Sequence, residues 1–198
     1  MAFVEPVTLR GAHVVIEPLA REHEAGLEAA AADGELWRLW YTSVPAPDKT
    51  LEWIDAALAM REKLGALPFV VREPSTNAIV GSTRYFNVEP MHRRLEIGHT
   101  WYAKRVQRTA LNTEAKLLLL THAFEKLDCI AVEFRTSFFN FASREAIARL
   151  GAKQDGILRH HQVTPDGTLR DTVVFSIVAP EWPAVKKNLN WRLTRPRD

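Results

Sequence analysis

The chain of 198 residues holds one cysteine, Cys129, so no internal disulfide is possible and nothing points to an oxidising compartment. Long apolar runs are missing: no stretch approaches the ~20 apolar residues that span a bilayer. The opening residues, MAFVEPVTLRG, lack a basic segment followed by an apolar run and do not read as a secretory signal. A cytoplasmic protein with no membrane partner is the expectation. An excess of charge is missing too, with 26 Lys and Arg against 24 Asp and Glu. Nucleic-acid binders cluster basic residues on one face, and so balanced a chain argues against that partner. There is no G-x-G-x-x-G, no G-x-x-x-x-G-K-[ST] and no G-x-S-x-G, so dinucleotide, Walker and nucleophile-elbow chemistries lack their signatures. The seven histidines form no H-x-x-x-H pair, and His160 and His161, adjacent on a predicted strand, would face opposite ways. No metal site is expected. Cys129, in an apolar predicted strand, reads as a structural thiol.

What is present is globular. Apolar residues make up 46% and charged residues 25%, and no repeat, low-complexity tract or Gly/Ser linker divides the chain. A domain of this length buries roughly 70% of the surface its unfolded chain exposes, enough for a core without metal or disulfide. One domain over 1–198 is expected, with 181–198 a C-terminal extension carrying Trp182 and Trp191 that packs on the core or on a partner.

The patterning predicts two short strands in Val7–Pro18, a helix over Ala20–Asp33 and another from an Asp48 cap through Leu64. Strands follow at Leu67–Arg72, Ala78–Val88 and Arg93–Tyr102. Thr113–Leu127 is the clearest helix, apolar on so wide a surface that burial on more than one side is implied. Cys129–Phe134 reads as a buried strand, Asn140–Leu150 as a helix closed by Gly151, and Ile157–Val163 with Thr172–Val178 as a hairpin. The order gives a mixed α/β (α+β) fold with an antiparallel core.

The stretch Leu95–Tyr102, the loop Ala103–Asn112 and the helix after it form a strand, a basic loop and a helix start. A helix start offers unpaired N–H groups and partial positive charge, so a basic loop before it is competent to cradle phosphate. The alternative is a solvated connector, since this loop has no glycine to let a phosphate approach. Arg105 and Arg108 either contact phosphate or stay solvated.

Glu96-Ile97-Gly98, then Gln107-Arg108-Thr109-Ala110-Leu111-Asn112-Thr113-Glu114-Ala115, resembles the acetyl-CoA-binding signature of the GNAT superfamily of N-acyltransferases, closest to the branch that acetylates ribosomal-protein N-termini. Asn140-Phe141-Ala142-Ser143, followed by Ala146, Ile147, Leu150 and Gly151, is similar to that branch's Asn-helix-Gly segment. The resemblance implies a central mixed, mostly antiparallel sheet of six to seven strands flanked by helices. It implies acetyl-CoA as acyl donor, no metal, and a monomer or homodimer. The pyrophosphate falls to main-chain amides of Gln107, Arg108, Thr109, Ala110, Leu111, Asn112 and Thr113. The pantetheine arm falls to main-chain groups of Thr100, Trp101 and Tyr102 and to the side chain of Asn140, which as a bare N-cap would need no ligand. The chain departs from the family at Ala110 and Asn112, where glycine and glycine or alanine are usual. It departs again at Ile147, where a tyrosine is frequent, and at Ala152, where an aromatic is. Asn112 is a candidate helix cap.

Amide formation from a thioester needs a neutral amine, donors for the oxyanion and a proton for the departing thiolate. Glu96 is the first candidate base, working through water, with an ion pair to Arg93 or Arg94 as the alternative. Strand alternation groups it with Gly98, Thr100 and Tyr102, and sends Leu95, Ile97, His99 and Trp101 the other way. His99 is a second candidate base. Ser143 is a candidate donor to the sulfur, and Trp37, Trp40 and Tyr41, at helical spacing, are candidates for the acceptor wall beside Glu96. The expected function is acetyl-CoA-dependent N-acetyl transfer to a primary amine, a protein N-terminus or a small molecule, by direct attack in a ternary complex. The alternative is a non-catalytic acyl-CoA sensor of the same fold.

Overall fold

The computed structural model describes residues 3–195; residues 1–2 and 196–198, the outermost ends of the expected domain and of its C-terminal extension, lie outside the description. Eight strands form one sheet: β1 (Leu9–Arg10), β2 (Val15–Pro18), β3 (Leu67–Glu73), β4 (Ala78–Glu89), β5 (Arg94–Tyr102), β6 (Ala131–Ser137), β7 (Lys153–Val163) and β8 (Leu169–Val178). Five α-helices flank it: α1 (Glu24–Ala32), α2 (Thr50–Leu64), α3 (Ala110–Glu125), α4 (Phe141–Leu150) and α5 (Trp182–Thr194). The spatial order is β1-β2-β3-β4-β5-β6-β8-β7. Every neighbouring pair is antiparallel except β5 and β6. The sheet is mixed and mostly antiparallel, as expected, with eight strands rather than six or seven.

Helix ends follow their residues. Gly65 closes α2 at φ 65°, a conformation that costs glycine nothing. Asp48 does not cap this helix; it lies inside a 3-10 turn, Pro47–Lys49, that leads into it. Thr109 rather than Asn112 caps α3: its Oγ1 accepts from the Leu111 N–H at 3.3 Å and donates to the Val106 carbonyl at 2.7 Å. The helix therefore starts at Ala110, three residues before the expected Thr113.

Ala115, Leu119, Leu120 and Ala123 of α3 are fully buried, and the Tyr85 hydroxyl of β4 donates to the Leu119 carbonyl at 2.6 Å. Burial of each such leucine stabilises the fold by about 1.5–3 kcal/mol. Trp182 of α5 stacks on Phe124 at 5.2 Å and donates to Glu125 at 2.8 Å, while Leu189 is fully buried, so the extension packs on the core. Cys129 lies in the turn before β6, not on the strand, and its N–H donates to the Ala123 carbonyl. Burial pushes its thiol up to about 12, which fits a structural role. No helix among the described residues is long and apolar enough to cross a membrane.

Candidate active site

The one parallel pair in the sheet creates the site. β5 and β6 stay in register only over Arg94–Glu96 with Ala131–Glu133 and then part, although β5 runs on to Tyr102 and β6 to Ser137. Main-chain groups of β5 beyond Glu96 therefore have no β6 partner along that edge. A cavity of about 830 Å³ opens at the divergence, between the α3 and α4 side of the sheet and the α2 side.

A bulge in β5 sets which side chains face where. Ser82 pairs with Trp101 but Arg84 with Gly98, so β5 carries an extra residue there, and His99 sits at φ 48°. The extra residue reverses the alternation predicted for the strand. Trp101 packs on Trp53 of α2 with ring centroids 6.0 Å apart, while Thr100 receives a hydrogen bond from Lys116 of α3. Trp101 thus shares the α2 side with Glu96, and Thr100 and Tyr102 lie on the α3 side. His99 meets Phe86, the cross-strand partner of Glu96, with centroids 4.8 Å apart, so it too is on the Glu96 side.

Glu96 is 2% exposed. Its carboxylate accepts from Asn87 Nδ2 at 2.9 Å and lies 3.5 Å from Arg135 Nε. Neither expected partner takes it: Arg93 pairs with Asp128, and Arg94 with Glu133. Burial pushes the carboxyl up to about 7, against the opposing pull of Asn87 and Arg135. Burial drives His99 the other way, down to about 4, helped by the charges of Arg84 and Arg170. At neutral pH the carboxyl, not the imidazole, is the group poised to take a proton. Gly98 keeps the approach open. A Cβ there would come within 2.6 Å of Phe86 and 3.4 Å of the Glu96 carboxylate.

On the α3 side, Asn112 Oδ1 and the Tyr102 hydroxyl are buried without a hydrogen-bond partner among the described residues, and both residues line the cavity. Gln107 Nε2 donates to the Tyr102 carbonyl at 2.9 Å, tying the loop to the strand end. Arg108 holds φ 60°, so the chain makes its glycine-like turn without glycine. Thr109, Ala110, Leu111 and Asn112 supply the first N–H groups of α3, which by helix geometry lack intrahelical acceptors. Gln107 and Asn112 line the cavity; Arg108, Thr109, Ala110, Leu111 and Thr113 are not among its lining residues, and Leu111 is buried in the core. Arg105, a candidate phosphate contact, has its N–H donating to Asp33 at 3.2 Å and its guanidinium paired with Glu73 at 2.9 Å.

Asn140 caps α4, accepting the Ser143 N–H on Oδ1 at 3.0 Å, and both residues line the cavity. The Ser143 hydroxyl makes no hydrogen bond among the described residues. Of the three expected acceptor-wall aromatics only Tyr41 lines the cavity. The helical spacing fails because Leu36–Arg38 is a single 3-10 turn between Glu35, at φ 48°, and an extended Leu39. Trp37 therefore turns away from the cavity, and Trp40 is 58% exposed against Phe139.

The model of the Acetyltransferase (GNAT) domain matches residues 13–153, most of the chain. The chain belongs to the GNAT family of acetyltransferases. It superposes on an acetyltransferase, so named provisionally, from T. thermophilus with TM-score 0.84 and 33% identity, covering 96% of this chain and 98% of that one. A GCN5-related N-acetyltransferase from Brucella melitensis gives TM-score 0.85 and 28% identity over 96% and 87%. YdaF of Bacillus subtilis (strain 168), provisionally named a ribosomal N-acetyltransferase, is 29% identical over 109 residues. That match covers 55% of this chain and 58% of YdaF, less than two thirds of that relative's length.

As a GNAT N-acetyltransferase the protein uses acetyl-CoA as acyl donor, and its own residues fit that molecule. The α3 side offers helix-start N–H groups for the diphosphate and unpaired β5 main chain for an amide-bearing arm. The orphaned Asn112 and Tyr102 atoms await polar partners. Among the described residues no group of three or more His, Cys, Asp and Glu side chains is arranged to hold a metal ion.

Three charged cavity residues escaped the sequence reading. Lys116, 5% exposed, donates from Nζ to Thr100 Oγ1 at 2.8 Å, and burial lowers it to about 7. Its one signal was a charge inside an apolar run. Arg135 and Arg170 needed the sheet order to bring β6 and β8 beside β5.

Proposed function

We propose that the protein acetylates a primary amine, a protein N-terminus or a small molecule, by direct attack on acetyl-CoA in a ternary complex. The carrying observation is a buried carboxyl, Glu96, raised to about 7 beside the glycine gap where β5 and β6 part. An α-amino group of pKa ~8 is about 10% neutral at pH 7, so a base of this strength, relayed by one water, suffices to remove its proton as nitrogen attacks. Main-chain N–H groups around the His99 bulge stabilise the oxyanion. When the C–S bond breaks, the thiolate takes a proton through the Ser143 hydroxyl. The diphosphate lies on the main chain of residues 107–113, and the pantetheine arm on Thr100, Trp101, Tyr102 and the Asn140 amide. Tyr41 lines the acceptor side. Cys129 is buried outside the cavity, which favours a route without an acyl-enzyme.

The sensor alternative drew on Ala110, Ile147 and Ala152. Ala110 is the first helical residue, a position that needs no glycine; Ile147 and Ala152 are buried in the core, and Ile147 also lines the cavity where the resemblance leads one to expect a tyrosine. Initial rates over a grid of acetyl-CoA and amine concentrations should give intersecting double-reciprocal lines, with no radiolabelled acetyl retained on protein incubated with the donor alone. Parallel lines, or an isolable acetyl-protein that passes its label to amine, would contradict direct attack.

A further inference from the structure

The acceptor side of the cavity carries a guanidinium, Arg170, that feels the charge of Glu96 but makes no ion pair or hydrogen bond among the described residues. Arg170 stands on β8 opposite Gln162 of β7, beyond Thr172, where pairing with β6 ends. It lines the same cavity as Glu96 and His99. Register puts it on the Glu96 side: Arg170 shares a face with Thr172 and Val174, Val174 pairs with Arg135, and Arg135 reaches the Glu96 carboxylate. The side chain is half-buried, its Nε is buried without a hydrogen-bond partner, and no carboxylate among the described residues lies within ion-pair distance. The neighbouring Asp171 is spent on Arg159 and the His160 N–H.

Of the other groups nearby, Arg135 and His161 have partners and His99 is neutral, while Arg84 also lacks an anion among the described residues but does not line the cavity. Arg135 is held by Glu133 at 2.8 Å and by Glu96. Arg84, nearly buried, donates to Met60 Sδ and covers the Trp53 ring. His99 is uncharged at neutral pH. His161 is engaged through Nδ1 with Thr172 Oγ1 at 3.1 Å. Among the described residues Glu96 is the one acidic residue lining the cavity. An acceptor that is only a cationic amine would enter a pocket whose surplus charge repels it. A half-buried guanidinium left without an anion forgoes a charge-assisted bidentate pair, the strongest polar contact such a site can make.

We infer that Arg170 is a specificity-determining residue that binds a carboxylate carried by the acceptor a short distance from its reacting amine. The inference rests on the acetyl-transfer reading of the cavity and names its acceptor class. The pairing has a second consequence for the chemistry. A guanidinium close to the acceptor nitrogen disfavours its ammonium form, so the contact that recognises the carboxylate also keeps the nucleophile neutral. Two sources carry this chemistry: the α-carboxylate of a free amino acid, and an Asp or Glu side chain at the first position of a peptide.

The test pairs acceptors that carry or lack that carboxylate, measured with wild type and with Arg170→Gln and Arg170→Lys, with kcat/KM referred to the neutral-amine fraction of each acceptor. Glycine against glycinamide reads the α-carboxylate; peptide amides beginning with Asp against Asn read the side chain. In wild type the carboxylate member of one pair should have the higher kcat/KM by about tenfold or more. Arg170→Gln should bring that ratio to about one through KM of the acceptor, and Arg170→Lys should restore part of it, with KM for acetyl-CoA unchanged. Whichever pair shows the effect identifies the source. Equal rates within both pairs, or a preference that survives Arg170→Gln, would overturn the inference. If no acceptor turns over, calorimetric titration of the CoA-loaded protein with N-acetylglycine and with N-acetyl-aspartyl peptide amide decides it separately. Binding abolished by Arg170→Gln upholds the carboxylate site while the acetyl-transfer reading fails; binding absent or unchanged overturns it.

Discussion

At the scale of single residues, one environment moves two titratable groups in opposite directions. Burial raises Glu96 to about 7 and, with the nearby guanidinium groups, lowers His99 to about 4. The rate with a saturating neutral-range acceptor should therefore rise with pH through an apparent pKa near 7, and Glu96→Gln should flatten that limb and lower kcat by ~10²-fold or more. His99→Gln should leave the limb in place. The same shift has a consequence for stability that needs no substrate. A carboxyl raised on folding contributes stability that is complete below the unfolded pKa and is lost as pH rises through the folded one. Between pH 5 and 8, urea unfolding should show Glu96→Gln gaining on wild type by on the order of 2–3 kcal/mol. A pH-independent difference would contradict the raised carboxyl. The sequence revealed Glu96 as a candidate because its Glu-x-Gly setting resembles a family pattern. It did not reveal the Asn87 and Arg135 contacts, which come from a neighbouring hairpin arm and from β6.

At the scale of elements, α3 joins donor site to core, and a second carboxylate anchors it. Glu114, 8% exposed, accepts the N–H groups of Ala12 at 3.0 Å and His13 at 2.5 Å, clamping the β1–β2 turn. Gly11 lets that turn approach, for a Cβ there would sit 2.4 Å from the carboxylate. Glu114→Ala should cost about 1–3 kcal/mol in denaturant unfolding, with two charge-assisted hydrogen bonds to the turn lost. Gly11→Ala should also destabilise, through a clash rather than lost bonds. An unchanged midpoint in both would show that the turn is not held by this contact. Periodicity located most elements because their burial is one-sided or complete. It failed where main-chain geometry decides. The His99 bulge inverts the facing of Thr100, Trp101 and Tyr102, the Glu35 left-handed turn breaks the supposed Trp37–Tyr41 helix, and Thr109 starts α3 three residues early. None of these changes the apolar pattern that a sequence displays.

At the scale of the whole molecule, function follows from one break in the sheet. The mixed, mostly antiparallel character of the sheet was legible because alternating short elements with turn residues restrict the topology. The short β5–β6 pairing was not, since a parallel pair that separates leaves no local signature. In the proposed reaction that separation lets a thioester on the α3 and α4 side meet an amine on the side of Glu96 and Arg170. The central claim is that the turn entering α3 holds the donor's diphosphate with main-chain N–H groups although it has no glycine. A crystal structure with coenzyme A bound tests it most directly. The account predicts diphosphate oxygens within about 3.2 Å of two or more amide nitrogens of residues 107–113, at hydrogen-bond distance, and the thiol in the β5–β6 gap. A nucleotide seated elsewhere, or a thiol remote from Glu96, would contradict it.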